Sequence, residues 1–148
     1  MDNFDTLVSI IIQAGLHDEP YELKRVLGLG QTPQTLIDHA GFDDLELVIK
    51  ASTVDKVHFD HGISQSVIQR IPLILQAPKA IYASATHPDS AVVMTYELQN
   101  GQPVIMPVHK NKTVGRNRTC NEVTSMLGKG GHDPEIRWKN QGLLLWEP

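Results

Sequence analysis

Residues 91–108 read AVVMTYELQNGQPVIMPV. Ala91 to Leu98 is an apolar run rich in β-formers. Asn100-Gly101 after it is the strongest short hairpin signal, because a tight two-residue turn needs positive φ at both central positions. Val104 to Val108 then pairs back, with Pro103 and Pro107 flanking or interrupting it. The second half of the chain is therefore expected to be built around an antiparallel hairpin.

Upstream the periodicity is helical. Asn3 to Ala14 spaces Phe4, Leu7, Ile10, Ile11 and Ala14 along one helix face, and Gly15 ends it. Pro20 to Leu27 reads as a second short helix, with Pro20 in the first turn and Gly28 past the end. Thr32 caps a third, Pro33 opens it, and Gly41 stops it after Ala40. Leu45 to Ile49 reads as a strand and Ser52 to Val57 as one helical turn. Ser64 to Gln76 puts Val67, Ile68, Ile71 and Leu75 on one helix face. Pro72 must disturb that helix, since it has no N–H to give, and Pro78 closes it.

The remaining signals are strands and loops. Ala80 to Ser84 is a short strand. Asn111 to Arg118 is a polar, basic loop, Cys120 to Leu127 a strand, and Gly128 to Pro134 a loop. Gly142 to Trp146 is the last strand. Helices followed by a strand meander predict an α+β fold, with N-terminal helices packed on a mainly antiparallel sheet formed by the C-terminal half. One domain over 1–148 is expected, with a helical part at 1–44 and an α+β core at 45–148. The helices would cover one face of the sheet and leave a site on the other.

A domain of 148 residues buries about 70% of its unfolded surface and needs neither disulfide nor metal for stability. No apolar run approaches the ~20 residues of a membrane helix, and no leader peptide is visible. The single cysteine, Cys120, excludes an internal disulfide and a thiolate zinc site. The net charge of −4 is unevenly spread. Residues 1–100 hold 6 Lys/Arg and 13 Asp/Glu, whereas residues 101–148 hold 7 and 4. A basic C-terminal third points to an anionic partner.

Three clusters could do chemistry. His58 and His61, with Asp60 between them, offer imidazoles that take and give protons near neutral pH. They lack the third ligand a metal would need, so no metal or cofactor is expected. His109 to Arg118 carries Lys110, Lys112, Arg116 and Arg118 with a histidine and two asparagines. These types position a phosphate and stabilise the charge that develops on it. Gly115 would let a backbone approach closely, but the pattern of a phosphate-binding P-loop is absent. Asn121 to Met126 supplies Asn121, Thr124 and Ser125 as hydrogen-bonding groups, and no nucleophile elbow is present. Trp138, among Arg137, Lys139 and Asn140, could stack a base.

The ordered set of pieces resembles a known family. It comprises the His58/His61 segment, Ile71-Pro72-x-x-Leu75-x-x-Pro78 and Ile81-Tyr82-x-Ser84. The Asn100-Gly101 hairpin, Asn121-x-x-Thr124-Ser125, Lys129 and Trp138…Gly142-Leu143-Leu144 complete it. From Leu45 onward the chain is similar to the C-terminal nuclease-like domain of phage MuF-type head proteins. That group belongs to the superfamily uniting barnase, EndoU, tRNA-cutting colicins and RelE. The resemblance implies a metal-independent endoribonuclease used as a toxin domain, as in contact-dependent inhibition and other polymorphic toxins. It also implies a cognate immunity protein and, for some members, a translation factor as helper. By position, His58 or His61 would do acid–base work. Lys110 or Lys112 with Arg116 would hold the phosphate, and Thr124 or Ser125 would donate to it.

The expected reaction is cleavage of RNA, a tRNA end included, by attack of the 2′-hydroxyl on the adjacent phosphate. Arg116, Arg118, Asn121 and Trp138 would bind the substrate. A delivered toxin would act in the cytoplasm of a target bacterium, and otherwise the protein is expected to be cytoplasmic. Two rivals are a non-catalytic binding protein, such as an immunity protein or adaptor, and a phage structural domain that kept the fold. A nucleotide transferase is weaker, for want of a phosphate cradle. Convergence of His58 with the Lys110–Arg118 segment favours an enzyme; dispersal favours a binder.

Overall fold

The computed structural model describes residues 3–18, 22–115, 117–131 and 133–148. Its frame is an eight-stranded sheet: β1 (Val26–Gln31), β2 (Glu46–Lys50), β3 (Ala80–Ala83), β4 (Ser90–Gln99), β5 (Gln102–Val114), β6 (Arg118–Val123), β7 (Leu127–Gly128) and β8 (Leu144–Trp146). The order across the sheet is β1-β2-β6-β5-β4-β3-β8, and β7 pairs with β5 beside that path. Every pairing is antiparallel except β2 with β6. The α+β class and the mainly antiparallel sheet are as the sequence predicts.

The β4–β5 hairpin turns at Asn100 and Gly101, whose φ values are 53° and 77°. Pro103 and Pro107 lie inside β5 rather than outside it. β5 is also longer than expected. It runs through the first half of the predicted basic loop to Val114, and β6 opens at Arg118.

The helices are α1 (Phe4–Leu16), α2 (Gln34–Ala40), α3 (Ala51–Phe59), α4 (Gln65–Gln69), α5 (Ile71–Gln76) and α6 (Pro134–Asn140). Asn3 caps α1 by accepting from Thr6 N at 2.9 Å. Gly41, at φ 71°, ends α2 in the left-handed conformation expected of it. The predicted helix 64–76 is two helices that meet at Arg70, because Pro72 sits in the first turn of α5, where its missing N–H does no harm.

The predicted helix from Pro20 to Leu27 is corrected. Residues 19–21 lie outside the described residues, Glu22–Lys24 is a single 3-10 turn, and Val26 opens β1. Leu-Gly-Leu-Gly explains it. The alternation pairs Leu27 with Ile49 of β2 and buries it in the core. α6, read as part loop, is a helix with Pro134 at its start and Asp133 accepting from Glu135 N at 2.9 Å.

The principal core lies between the sheet and α1–α5. It combines Leu47, Ile49, Ile81, Val93, Met106, Val108 and Val123 from the strands with Ile11, Leu36, Val54, Ile68 and Ile71 from the helices. The opposite face has smaller apolar clusters at its two ends. One is Tyr82, Met94 and Ile105 beneath Trp138 of α6; the other is Val48, Val114 and Cys120. The sheet between those clusters is covered by neither. No helix among the described residues is long and apolar enough to cross a membrane.

Candidate functional site

The uncovered face carries polar residues at positions that alternate with the core. Ser90 pairs with His109, His109 with Glu122, and Glu122 with Val48. Residues in register project to the same side, so these four form one row across β4, β5, β6 and β2. Ser90 Oγ lies 2.5 Å from His109 Nδ1, which fixes the ring and leaves Nε2 to the open side. Glu122 is buried, and its Oε1 has no hydrogen-bond partner and stands 4.0 Å from Lys50 Nζ.

A β-bulge decides what stands beside His109. His109 pairs with Glu122 and Lys112 with Cys120, so three steps along β5 match two along β6. The extra residue lets Lys112 point to the same face as His109, which strict alternation would forbid. Asn111 sits in the bulge at φ 56°, a left-handed conformation that asparagine tolerates.

The loop between β3 and β4 brings a second imidazole. Ser84 Oγ accepts from Thr86 N at 3.3 Å and His87 N at 3.1 Å, and His87 O accepts from Ser90 N at 3.0 Å. This tight turn holds His87 with its ring centroid 6.3 Å from that of His109. Between the rings, Lys112, Lys129, Thr124 and Trp138 opens a cavity of about 530 Å³. Among the described residues its lining contains no carboxylate, and neither lysine is in an ion pair. Trp138 stands edge-on to the buried Tyr82 at 5.2 Å. Burial, then Glu135, pushes the Tyr82 phenol above its ordinary range.

Thr124 also lines a smaller hollow of about 360 Å³, with Ser52, Lys56, His61 and Ser125. There the Nδ1–H of His61 donates to Met126 O at 2.9 Å, and His61 O accepts from Gln99 Nε2 at 2.6 Å. Thr124 is common to the two hollows.

Of the residues picked from sequence, Lys112, Thr124 and Trp138 thus line the larger cavity, and His61 and Ser125 the smaller one. His58 lines neither; its Nδ1–H donates to Ile63 O at 2.8 Å near the end of α3. Lys110 projects to the helical face, where Nζ donates to Ala40 O at 3.3 Å and lies 5.6 Å over the Phe42 ring. Arg118 is paired with Glu46, and this hydrogen bond raises its already high pKa. Asn121 is fully buried. Arg116 lies outside the described residues. His58 therefore does not meet Lys110, Lys112 or Arg118.

Sequence reasoning gave no role to His87, His109, Ser90 or Lys129. His109 opens the basic segment and Lys129 belongs to the family pattern, but nothing local ties either to the other. The usable signal for His87 is Ser84-x-x-His87-Pro88, a serine-capped turn between two strands.

No three His, Cys, Asp or Glu side chains stand close enough to hold a metal among the described residues. Compared with known families, residues 52–147 match the model of the phage MuF C-terminal domain, from within α3 to the end of β8. No curated protein and no solved structure matches the chain.

Proposed function

Because the chain belongs to the phage MuF C-terminal domain family, we propose that the cavity around His87 and His109 is the active site of a metal-independent endoribonuclease. One observation carries this reading. Two imidazoles 6.3 Å apart stand with two lysines in a cavity whose described lining has no carboxylate, in a protein of net charge −4. Such a site attracts a phosphodiester and supplies both an acid and a base.

His109, its Nδ1–H donating to Ser90, takes the proton of a ribose 2′-hydroxyl on Nε2. The 2′-oxygen bonds to phosphorus as the bond to the 5′-oxygen breaks. His87, as imidazolium, gives its proton to that leaving oxygen. The products are a 2′,3′-cyclic phosphate and a 5′-hydroxyl. Lys112, Lys129 and the Thr124 hydroxyl stabilise the pentacoordinate phosphate. Trp138 stacks a base, and His61, Lys56 and Ser125 receive the next phosphate across Thr124. This arrangement suits an unpaired RNA strand, such as a tRNA end, whose bases can splay out. As a toxin domain it would be neutralised by an immunity protein whose acidic surface covers the cavity.

A second reading is a non-catalytic phage structural or binding domain. It is favoured by the dispersal of His58, Lys110 and Arg118, each engaged elsewhere. The two readings separate on incubation of the purified protein with bacterial RNA in EDTA. Discrete cleavage with cyclic phosphate ends, lost in H87A and H109A, supports the nuclease. Loss of cleavage on adding EDTA refutes the metal-free mechanism. Intact RNA with folded wild-type protein refutes the nuclease and leaves the structural domain.

A further inference from the structure

Asn121 is one of the few fully buried polar residues, and its side chain is completely used. Its Nδ2 donates to Thr32 Oγ1 at 2.7 Å and to Asp43 O at 3.0 Å. Its Oδ1 accepts from Asn111 N at 3.2 Å. Thr32 in turn donates to Leu45 O at 2.6 Å. The N–H that Oδ1 receives belongs to the bulge residue, whose place in the strand ladder is lost because two residues there oppose one. The bond gives that N–H a partner within the fold and so favours the bulge over a regular strand.

The consequence reaches the cavity. With the bulge, Lys112 shares a face with His109; without it, alternation would carry Lys112 to the helical face and Asn111 to the cavity. Thr32 and Asp43 precede the family match, which begins at residue 52. We propose that Asn121 is a positioning residue that, anchored by Thr32 and Asp43, holds the Asn111 bulge and thereby aims Lys112 into the site. The segment before residue 52 then sets the geometry of the cavity as well as adding β1 and β2 to the sheet. The contribution to catalysis rests on the nuclease reading; the effect on Lys112 does not.

The test is a double-mutant cycle on the full chain. K112A and N121A each lose cleavage by about 10²-fold, the loss typical of one missing stabilising donor. The double variant K112A/N121A loses no more than either, because both remove the same group from the site. T32V, which removes one bond of Asn121 together with the hydroxyl's own bond to Leu45 O, gives a smaller loss in the same direction should N121A fold poorly. Deleting Asn111 from N121A abolishes the bulge, keeps Lys112 on the His109 face by simple alternation, and restores cleavage. A generally loosened fold would not be rescued by a deletion.

Proton NMR supplies a readout independent of activity. Inorganic phosphate titrated into the wild type shifts the His109 ring signals and the Lys112 side-chain signals together, and in N121A the His109 signals alone. Multiplicative losses in the cycle, no rescue by the deletion, or an unchanged Lys112 response in N121A would overturn the positioning role. If the wild type leaves RNA intact while N121A still loses the Lys112 response, the nuclease reading fails and the positioning role stands.

Discussion

His58 and His61 stand three residues apart; His87 and His109 are separated by most of a β-hairpin. The close pair does not share a hollow: His61 lines the smaller one and His58 lines neither. Both Nδ1–H groups donate to backbone carbonyls, one at the end of α3 and the other across to Met126. The distant pair is together, with ring centroids 6.3 Å apart beside two lysines. His58 sits on α3 and spends its donor within five residues, whereas His61 lies past the helix end and reaches Met126. His109 is placed by strand register and His87 by the capped turn between β3 and β4, and both line one cavity. Proximity in sequence is thus a poor guide to which histidines share a hollow in a sheet protein.

The largest expected effect separates the two pairs directly. H109A should reduce RNA cleavage by about 10²–10⁴-fold, the usual contribution of a positioned acid or base. H87A should fall in the same range and flatten the opposite limb of the pH–rate profile. H58A should leave the rate of cleavage within a factor of about two. Gel assays with defined oligonucleotides check all three. A dead H58A with an active H109A would invert the comparison and return the chemistry to the α3 end.

A smaller effect is expected at Trp138. Loss of stacking in W138A should weaken binding by about 1–3 kcal/mol per base, read as a raised KM with kcat little changed. Because the ring also stands on Tyr82, the variant loses some packing as well. W138F keeps an aromatic face and should recover most of the affinity. If W138A and W138F behave alike in KM while both melt earlier, the ring serves the core and not the substrate.

Signals confined to a few residues were legible in the chain. Asn100-Gly101 specifies its turn by the backbone it permits, and the glycine after Ala40 ends α2 for the same reason. Pro72 shows where the long helical pattern must break. What depends on partners distant in sequence was not legible. The parallel pairing of β2 with β6 joins Leu47 to Asn121 across half of the chain, and no local pattern announces it. β1 was hidden because its strand character comes from docking on β2, against only a weak local preference. Half of the candidate site shares this property. Lys112, Thr124 and Trp138 stood out by residue type, whereas His109 gains its place from pairing with Ser90 and Glu122. The Asn111 bulge reverses the side on which Lys112 emerges, and alternation read from sequence alone cannot supply it.

The smallest effect concerns what His58 does, since the proposed chemistry does not use it. Asp55 lies on α3, and α1 presses upon it at Gly15, where an added Cβ would stand 2.3 Å from its Oδ1. Burial first, and Asp60 second, raise the Asp55 carboxyl above its ordinary value, while His58 opposes them. A raised carboxyl pKa means that the fold favours the protonated form. Its contribution is therefore present below the unfolded pKa and is lost as pH rises through the folded one. D55N, which mimics the protonated form, should raise Tm at neutral pH relative to the wild type, and the gain should shrink toward pH 3. H58A removes the opposing charge, so the Asp55 carboxyl should move further up and the melting profile should shift with it. Thermal melts across pH 3–8 check both variants. An H58A that changes the melting profile in that way, and not the cleavage rate, would assign this histidine to the charge balance of α3.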